Sequence, residues 1–258
     1  MKNKLYINII FLLMSINLFS QNSFKAVYKM LLEKNGYSPT YYSLISKDRD
    51  SEFKLIERII PEKVVSNEYT GEIVLNTETP DSIQPVIRTN FKQEKIYSYD
   101  FITEDDGKTY TGYSIVEPIT VKWKLGNETK KIDKYLCKKA TTRFRGRNYV
   151  AWYTEEIPIS IGPWKFHGLP GIIINITDNT NQVSFLLEKI EIPYDYLNNT
   201  LEVIDSEHAI SVREFIEIRK NAKIRSREFF KKKVLSKLPR GANIELTQEG
   251  NNDIEIEF

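Results

Sequence analysis

Residues 172–190 read Ile172-Ile173-Ile174-Asn175-Ile176-Thr177, then Asp178-Asn179-Thr180-Asn181, then Gln182-Val183-Ser184-Phe185-Leu186-Leu187-Glu188-Lys189-Ile190. The middle four are turn formers, whose short polar side chains bond nearby backbone and tolerate left-handed conformations. On either side the apolar residues alternate with others. Ile172, Ile174 and Ile176 share one face of the first segment, and Val183, Phe185 and Leu187 share one face of the second. Period-two alternation buries one side of an antiparallel sheet. The stretch predicts a hairpin of two neighbouring strands.

The chain before it repeats this logic. Tyr135–Phe144 and Tyr149–Thr154 read as strands joined at Arg145-Gly146-Arg147-Asn148, and before them Trp123 and Leu125 alternate with polar neighbours. Asn127 and Glu128 read as a turn. Further back, Lys25–Met30 and Tyr41–Ile45 are short strands around Gly36-Tyr37-Ser38-Pro39. Residues 72–76 and 85–99 supply more strand candidates. Lys108–Ile115 returns after the turn signal Glu104-Asp105-Asp106-Gly107, while Glu52–Ile60 fits either a strand or a short helix. The 15 Tyr and 13 Phe, with many Ile and Val, favour strands over a helix bundle.

After Pro193 the pattern changes. Ser211 and Glu214 form a capping-box pair, the serine accepting an exposed helix N–H and the glutamate answering it. Val212, Phe215, Ile216, Ala222, Phe229, Phe230, Val234 and Leu235 follow helical spacing, and Pro239 and Gly241 stop the segment. A helix over 211–237 packed on the sheet is expected. Eight Lys or Arg lie between Arg219 and Lys233, with Glu228 the one acid among them. They read as a solvated face paired within the fold, the acids Glu245, Glu249, Asp253, Glu255 and Glu257 being available; contact with an anionic envelope surface is the alternative. Ile254, Ile256 and Phe258 alternate as a short terminal strand. The expected fold is mainly β (α+β): a curved antiparallel sheet or partly open barrel with a C-terminal helix packed on it.

The first 20 residues stand apart. Lys2 and Lys4 precede a mostly apolar run from Tyr6 to Phe19, and Ser20 is a small residue suited to cleavage. The run is short for a spanning helix, which takes roughly 17–25 residues. It reads as a secretory signal peptide over 1–20. Cleavage before Gln21 leaves 238 of the 258 residues, read as a single β-rich domain over 21–258, and no cysteine follows the run for lipid attachment. The formal net charge of +2 then disappears, because Lys2 and Lys4 account for it. A balanced chain has no overall field drawing it to nucleic acid. The expected location is periplasmic, outer-envelope associated or extracellular, with no transmembrane span after cleavage.

Several chemistries are poorly represented. His167 and His208 are the two histidines, far apart and without close Cys or His companions, so no metal site is read. No phosphate loop, dinucleotide fingerprint or Gly-X-Ser-X-Gly elbow occurs, and no cofactor is expected. Cys137, the single cysteine, lies in a strand pattern, where a free thiol commonly packs as a small apolar group. No catalytic set is assigned.

The segment Gly162-Pro163-Trp164-Lys165-Phe166-His167-Gly168-Leu169-Pro170-Gly171 is the most unusual local feature. Pro163 and Pro170 fix φ and remove donors, while Gly168 and Gly171 reach conformations closed to other residues. A stiff, folded-back loop is expected. It either plugs the open end of a β-structure with Trp164 and Phe166 or presents a binding edge, so Gly162, Pro163, Trp164, Phe166, His167, Gly168, Leu169, Pro170 and Gly171 are the binding or structural candidates.

Here the chain resembles the GLPGLI family of secreted Bacteroidetes-type proteins. The name motif stands as Gly168-Leu169-Pro170-Gly171-Ile172-Ile173, with Ile172 in place of leucine. The resemblance extends to Trp123, Ile132, Tyr135, Cys137, Lys139-Ala140, Arg147, Ala151-Trp152-Tyr153, Ile157-Pro158-Ile159 and Gly162-Pro163, covering roughly 120–190. It implies an exported protein of uncharacterised molecular function and supplies no catalytic residues.

The leading functional class is a non-enzymatic envelope binding or interaction protein whose partner is an envelope protein, a peptide or a lipid ligand. A hydrolase or thiol-dependent enzyme using Cys137 and a histidine is the enzymatic alternative. A structural envelope component is the third.

Overall fold

A computed structural model describes residues 23–33, 38–47, 50–58, 85–104, 109–195 and 206–236. The signal segment, residues 72–76, the acidic tail and the terminal strand expected near Phe258 lie outside them. The described strands are β1 (Phe24–Leu32), β2 (Thr40–Lys47), β3 (Asp50–Arg58), β4 (Val86–Asn90), β5 (Lys95–Thr103) and β6 (Tyr110–Pro118). After them come β7 (Lys124–Ile132), β8 (Tyr135–Phe144), β9 (Arg147–Thr154), β10 (Ile172–Asp178), β11 (Val183–Glu191) and β12 (Ile210–Ser211). One helix, α1 (Val212–Leu235), follows.

The strands form one sheet in the order β12-β6-β5-β4-β3-β2-β1-β11-β10-β9-β8-β7, antiparallel throughout except for the short parallel pairing of β12 with β6. The protein is therefore mainly β, with its C-terminal helix packed on an open sheet whose two end strands do not pair with each other. Hairpins explain most of this order. The predicted 178–181 turn joins β10 to β11, with Ile176 opposite Phe185 and Thr177 opposite Ser184. β1, the first described strand, inserts beside β11 and starts the second run, with Tyr28, Met30 and Leu32 opposite Leu187, Phe185 and Val183.

Three local expectations are corrected. Ile172, Ile174 and Ile176 do not keep one phase, because the pairing with β9 slips between Ile173 and Asn175. Ile173 is opposite Tyr153 and Ile176 opposite Ala151, so these two share the buried face, while Ile172 and Ile174 are buried as well. A bulge inserts a residue and exchanges the faces beyond it. The turn read at Asn127 and Glu128 is also absent. Both residues lie inside β7, where the register with β8 is irregular between Leu125 and Thr129. Turn-forming residues are accommodated there by an edge-strand irregularity. Finally, the helical stripe is only partly buried: Phe215 and Ala222 are covered, whereas Phe229 is 42% exposed. The stretch Glu52–Ile60, ambiguous in sequence, is a strand where described.

The main core gathers Tyr28, Met30 and Leu32 of β1, Leu44 of β2, Phe53 of β3, and the inner faces of β8 to β11. The loop between β9 and β10 adds Trp164, Phe166 and Leu169 to it. A smaller cluster of Ile102, Ile115, Phe215 and Ala222 lies under α1. Ser211 caps α1 as expected, its Oγ accepting the Glu214 N–H at 3.2 Å. No helix among the described residues is long and apolar enough to cross a membrane.

A buried ionic cluster shows how the sheet is arranged around the loop. Glu117 in β6 pairs with Arg145 of the β8–β9 turn and with Lys165 of the loop, the latter at 2.5 Å. In a flat sheet, seven to nine strand spacings of about 4.8 Å would separate these elements by roughly 34–43 Å, beyond the reach of any two side chains. The strands must therefore bend through space towards the loop, as twisted sheets of many strands do. The open ends remain open.

Candidate functional site

The loop between β9 and β10 is held by its own backbone. The Gly162 N–H donates to the Phe166 carbonyl at 2.9 Å, the Phe166 N–H to the Pro163 carbonyl at 3.0 Å, and the Gly168 N–H to the Ser160 carbonyl at 2.7 Å. Ile161 and His167 form an isolated antiparallel bridge across it. Pro163 opens the tight turn and Trp164 follows at a φ of +54°. That is an unfavourable backbone position for a bulky residue. Its offset is packing: the Trp164 ring lies edge-on to Phe144 at 5.5 Å and to Phe166 at 5.2 Å. Phe166 in turn meets Tyr149 at 4.9 Å.

Of the candidates read in sequence, Gly162, Pro163, Trp164, Phe166, His167, Leu169 and Gly171 are buried, and Gly168 and Pro170 are exposed. Gly168 and Gly171 serve different ends. Gly168 has a φ of +92°, and a Cβ there would meet the Trp123 ring edge at 3.9 Å, an ordinary contact. Gly171 allows close approach, because a Cβ there would lie 1.9 Å from the Thr154 carbonyl oxygen. His167 hydrogen-bonds through Nδ1 to the Lys165 carbonyl at 2.9 Å and packs edge-on to Phe91. Burial pulls its pKa below the usual imidazole range, with the bond to Lys165 opposing.

Above this buried loop sits Trp123. Its indole N–H donates to the His167 carbonyl at 2.7 Å, and its ring rests against Phe166 at 5.9 Å. One residue earlier, the Lys122 carbonyl accepts the Thr142 hydroxyl at 2.7 Å. Residues 122 and 123 are thus pinned at two points, one to the loop and one to β8. They border an open groove of about 480 Å³. Lys122, Lys124 and Arg143 stand exposed along it; Thr142 and Tyr149 contribute buried lining, and Asn148 and Asn179 are exposed at its margin. The Asn179 N–H donates to the Asn148 carbonyl at 2.8 Å, which ties the 178–181 turn to the start of β9.

A second polar network fixes the same end of the sheet. Arg147 donates to Asp178 at 2.9 Å and to the Gln182 side chain at 2.8 Å, while the other Asp178 oxygen accepts the Val183 N–H at 2.9 Å. Arg147 and Asp178 are both buried, so the pair is fully enclosed and hydrogen-bonded, as a buried ion pair must be. This clamps the 178–181 turn against β9.

Cys137 is fully buried in β8, its Sγ 3.7 Å from the Tyr135 carbonyl. Burial pushes its thiol pKa up, against smaller opposing effects of a backbone bond at Ile132 and the Lys130 charge. His208 is exposed beside β12, at the other end of the strand order. Among the described residues no group of three or more His, Cys, Asp or Glu is placed to hold a metal ion.

Sequence reading singled out the loop but missed Glu117, Arg145 and Lys165 as partners, and missed Lys122, Arg143, Asn148 and Asn179 as a group. Glu117 and its two cations come from three separate segments, and no local spacing signals them. Trp123 was legible as an alternating aromatic; its anchor on the loop was not.

A family described as a protein of unknown function (Porph_ging) matches residues 145–175, which take in β9, the loop and the start of β10. No curated protein matches the chain. Among solved structures, PNGF-II in two crystal forms is similar at 13% and 14% identity, with TM-scores of 0.48 and 0.49. Each likeness covers 78% of this chain, and the chain spans about a third of the length of PNGF-II, 34% and 33%.

Proposed function

We propose that this chain is an exported, non-enzymatic binding protein of the cell envelope, and that its contact site is the groove bordered by Trp123. The observation that carries the reading is the double anchoring of residues 122 and 123, with the Trp123 indole N–H held on the loop carbonyl of His167. A side chain held before a ligand arrives loses less freedom on binding, and affinity rises accordingly. The buried Gly-Pro-rich loop is then the support of the site rather than its surface. Export rests on the signal-like first 20 residues. The thiol alternative needs an exposed, acidified sulfur beside an imidazole, and Cys137 has the opposite setting.

Native mass spectrometry of protein gently purified from its own envelope tests this. A bound species is expected on the wild type and is lost from Trp123→Ala, with chemical unfolding run in parallel to show that the variant is folded. Reproducible absence of any bound species or partner overturns the reading.

A further inference from the structure

We infer that the outward face of α1 docks on an anionic lipid bilayer, so that the protein lies peripherally on a membrane surface through a region separate from the groove. The inward face of the helix is defined by its contacts. Phe215 and Ala222 are buried with Ile102 and Ile115, while Arg219 and Arg225 reach Asp100 of β5 and Glu104 just after it. At 3.6 residues per turn, the side chains opposite Phe215 and Ala222 are those of Arg213, Lys220, Ile224 and Lys231. All four are exposed, Ile224 to 50%.

Two observations point to the partner. The first is charge. Lys223 and Arg227, the latter with an interaction of its own, flank this stripe on one side, and Glu217 and Glu228 flank it on the other. Among the described residues, no ion pair or hydrogen bond holds the side chain of Arg213, Lys220, Lys223 or Lys231. Four cations therefore face solvent against two carboxylates at one margin, although the chain as a whole is nearly balanced, with 37 basic and 35 acidic residues. The local field favours an anionic surface.

The second is the setting of Ile224, an exposed apolar side chain with Lys220, Lys223 and Lys231 around it. A soluble polyanion gives such a side chain nowhere to go. A bilayer takes it into the headgroup boundary together with the lysine stems, while the ammonium groups stay with the lipid phosphates. The stripe from Arg213 to Lys231 runs about 27 Å along the helix, enough to meet several headgroups at once. A helix face turned outward is convex and has no groove to position a folded partner; a fluid headgroup layer needs none. No helix among the described residues is long and apolar enough to cross a membrane, and surface docking requires none.

The test is sedimentation of the protein, purified from its envelope, with vesicles of phosphatidylcholine alone or of equimolar phosphatidylcholine and phosphatidylglycerol. Binding to the mixed vesicles is expected to be tighter by about ten-fold or more. It should weaken several-fold as salt shortens the screening length from about 30 Å at 0.01 M to about 8 Å at 0.15 M. The triple variant Lys220→Gln, Lys223→Gln, Lys231→Gln should lose about ten-fold or more with an unchanged unfolding midpoint. Ile224→Ser should lose several-fold on the mixed vesicles and nothing on dextran sulfate, which offers charge without an apolar layer. No binding to the mixed vesicles, equal binding to both kinds, an unaffected triple variant or an unaffected Ile224→Ser each overturns the inference. Trp123→Ala should bind the mixed vesicles as the wild type does, so failure here and failure of the groove reading are separate results.

Discussion

The sheet contains two halves built from the same period-two pattern and buried to very different depths. On the side of β8 to β11 and β1, twenty-two described residues form one apolar cluster, including Trp164, Phe166 and Leu169 from the loop. On the side of β5, β6 and α1, the corresponding cluster has four: Ile102, Ile115, Phe215 and Ala222. Alternation in the strands is not what separates them. In the first half an ordered loop of large side chains folds over the sheet. In the second a helix covers it with Phe215 and Ala222, and then runs on with Phe229 and Ile224 exposed. Depth is set by what covers the face.

Variants of the two halves can break this contrast. The largest effect is expected for Phe166→Ala. Its ring is 1% exposed and touches Trp123, Phe144, Tyr149 and Trp164. Removing it leaves a cavity that rigid neighbours refill poorly, and a loss of about 3–5 kcal/mol is expected by chemical unfolding. A loss below about 1 kcal/mol would mean that the loop lies on the core without supporting it.

Gly171→Val comes next. A Cβ would stand within 1.9 Å of a backbone oxygen, so the backbone at Thr154 or Gly171 must move. Overpacking of this kind costs about 1–3 kcal/mol, and here the upper end is expected. Gly168→Val should cost less, because its Cβ would make only an ordinary 3.9 Å contact with Trp123 and the positive φ is what opposes it. Reversal of that order in unfolding midpoints would show that conformation, rather than close approach, governs the loop.

In the other half, Phe215→Ala should cost about 3 kcal/mol, the low end for an aromatic truncation since the helix flank is open to water. The loss should be local. Hydrogen exchange should quicken throughout α1 and leave β8 to β11 unchanged, as expected when regions open independently. Equal quickening in β8 to β11 would mean that the two clusters unfold as one unit.

The smallest effect is with pH. His167 has a folded pKa below its ordinary value of 6.5, so on acidification the unfolded chain takes up the proton first. Its contribution to stability is complete above pH 6.5, declines below it, and levels off once pH has fallen through the folded pKa. The slope from one such group cannot exceed about 1.4 kcal/mol per pH unit. Unfolding midpoints of wild type and His167→Gln between neutral and mildly acidic pH check this; parallel curves would remove His167 as the cause.

Much of the fold was legible along the chain. The 172–190 hairpin, the strand Tyr135–Phe144 and the Ser211 cap all follow from local chemistry, since alternation, turn formers and an N-cap act between residues a few positions apart. Legibility ended at Ile173, where a one-residue slip moved it onto the buried face, and at Asn127, where a turn signal became an irregular stretch of edge strand. Neither event has a local signature, because each depends on which strand pairs alongside.

The candidate site divides in the same way. By itself the sequence determined a stiff segment at 162–171, since Pro163, Pro170, Gly168 and Gly171 act through their own backbone freedom. It also determined an alternating β framework and a capped, basic helix. Only the tertiary structure decided that Trp164 and Phe166 turn into the core. It alone brought Glu117 to Arg145 and Lys165, and hung Trp123 on the carbonyl of His167 beside three cations. These are meetings of segments far apart in the chain. They depend on strand order and on the path of the sheet through space, which no short-range pattern encodes.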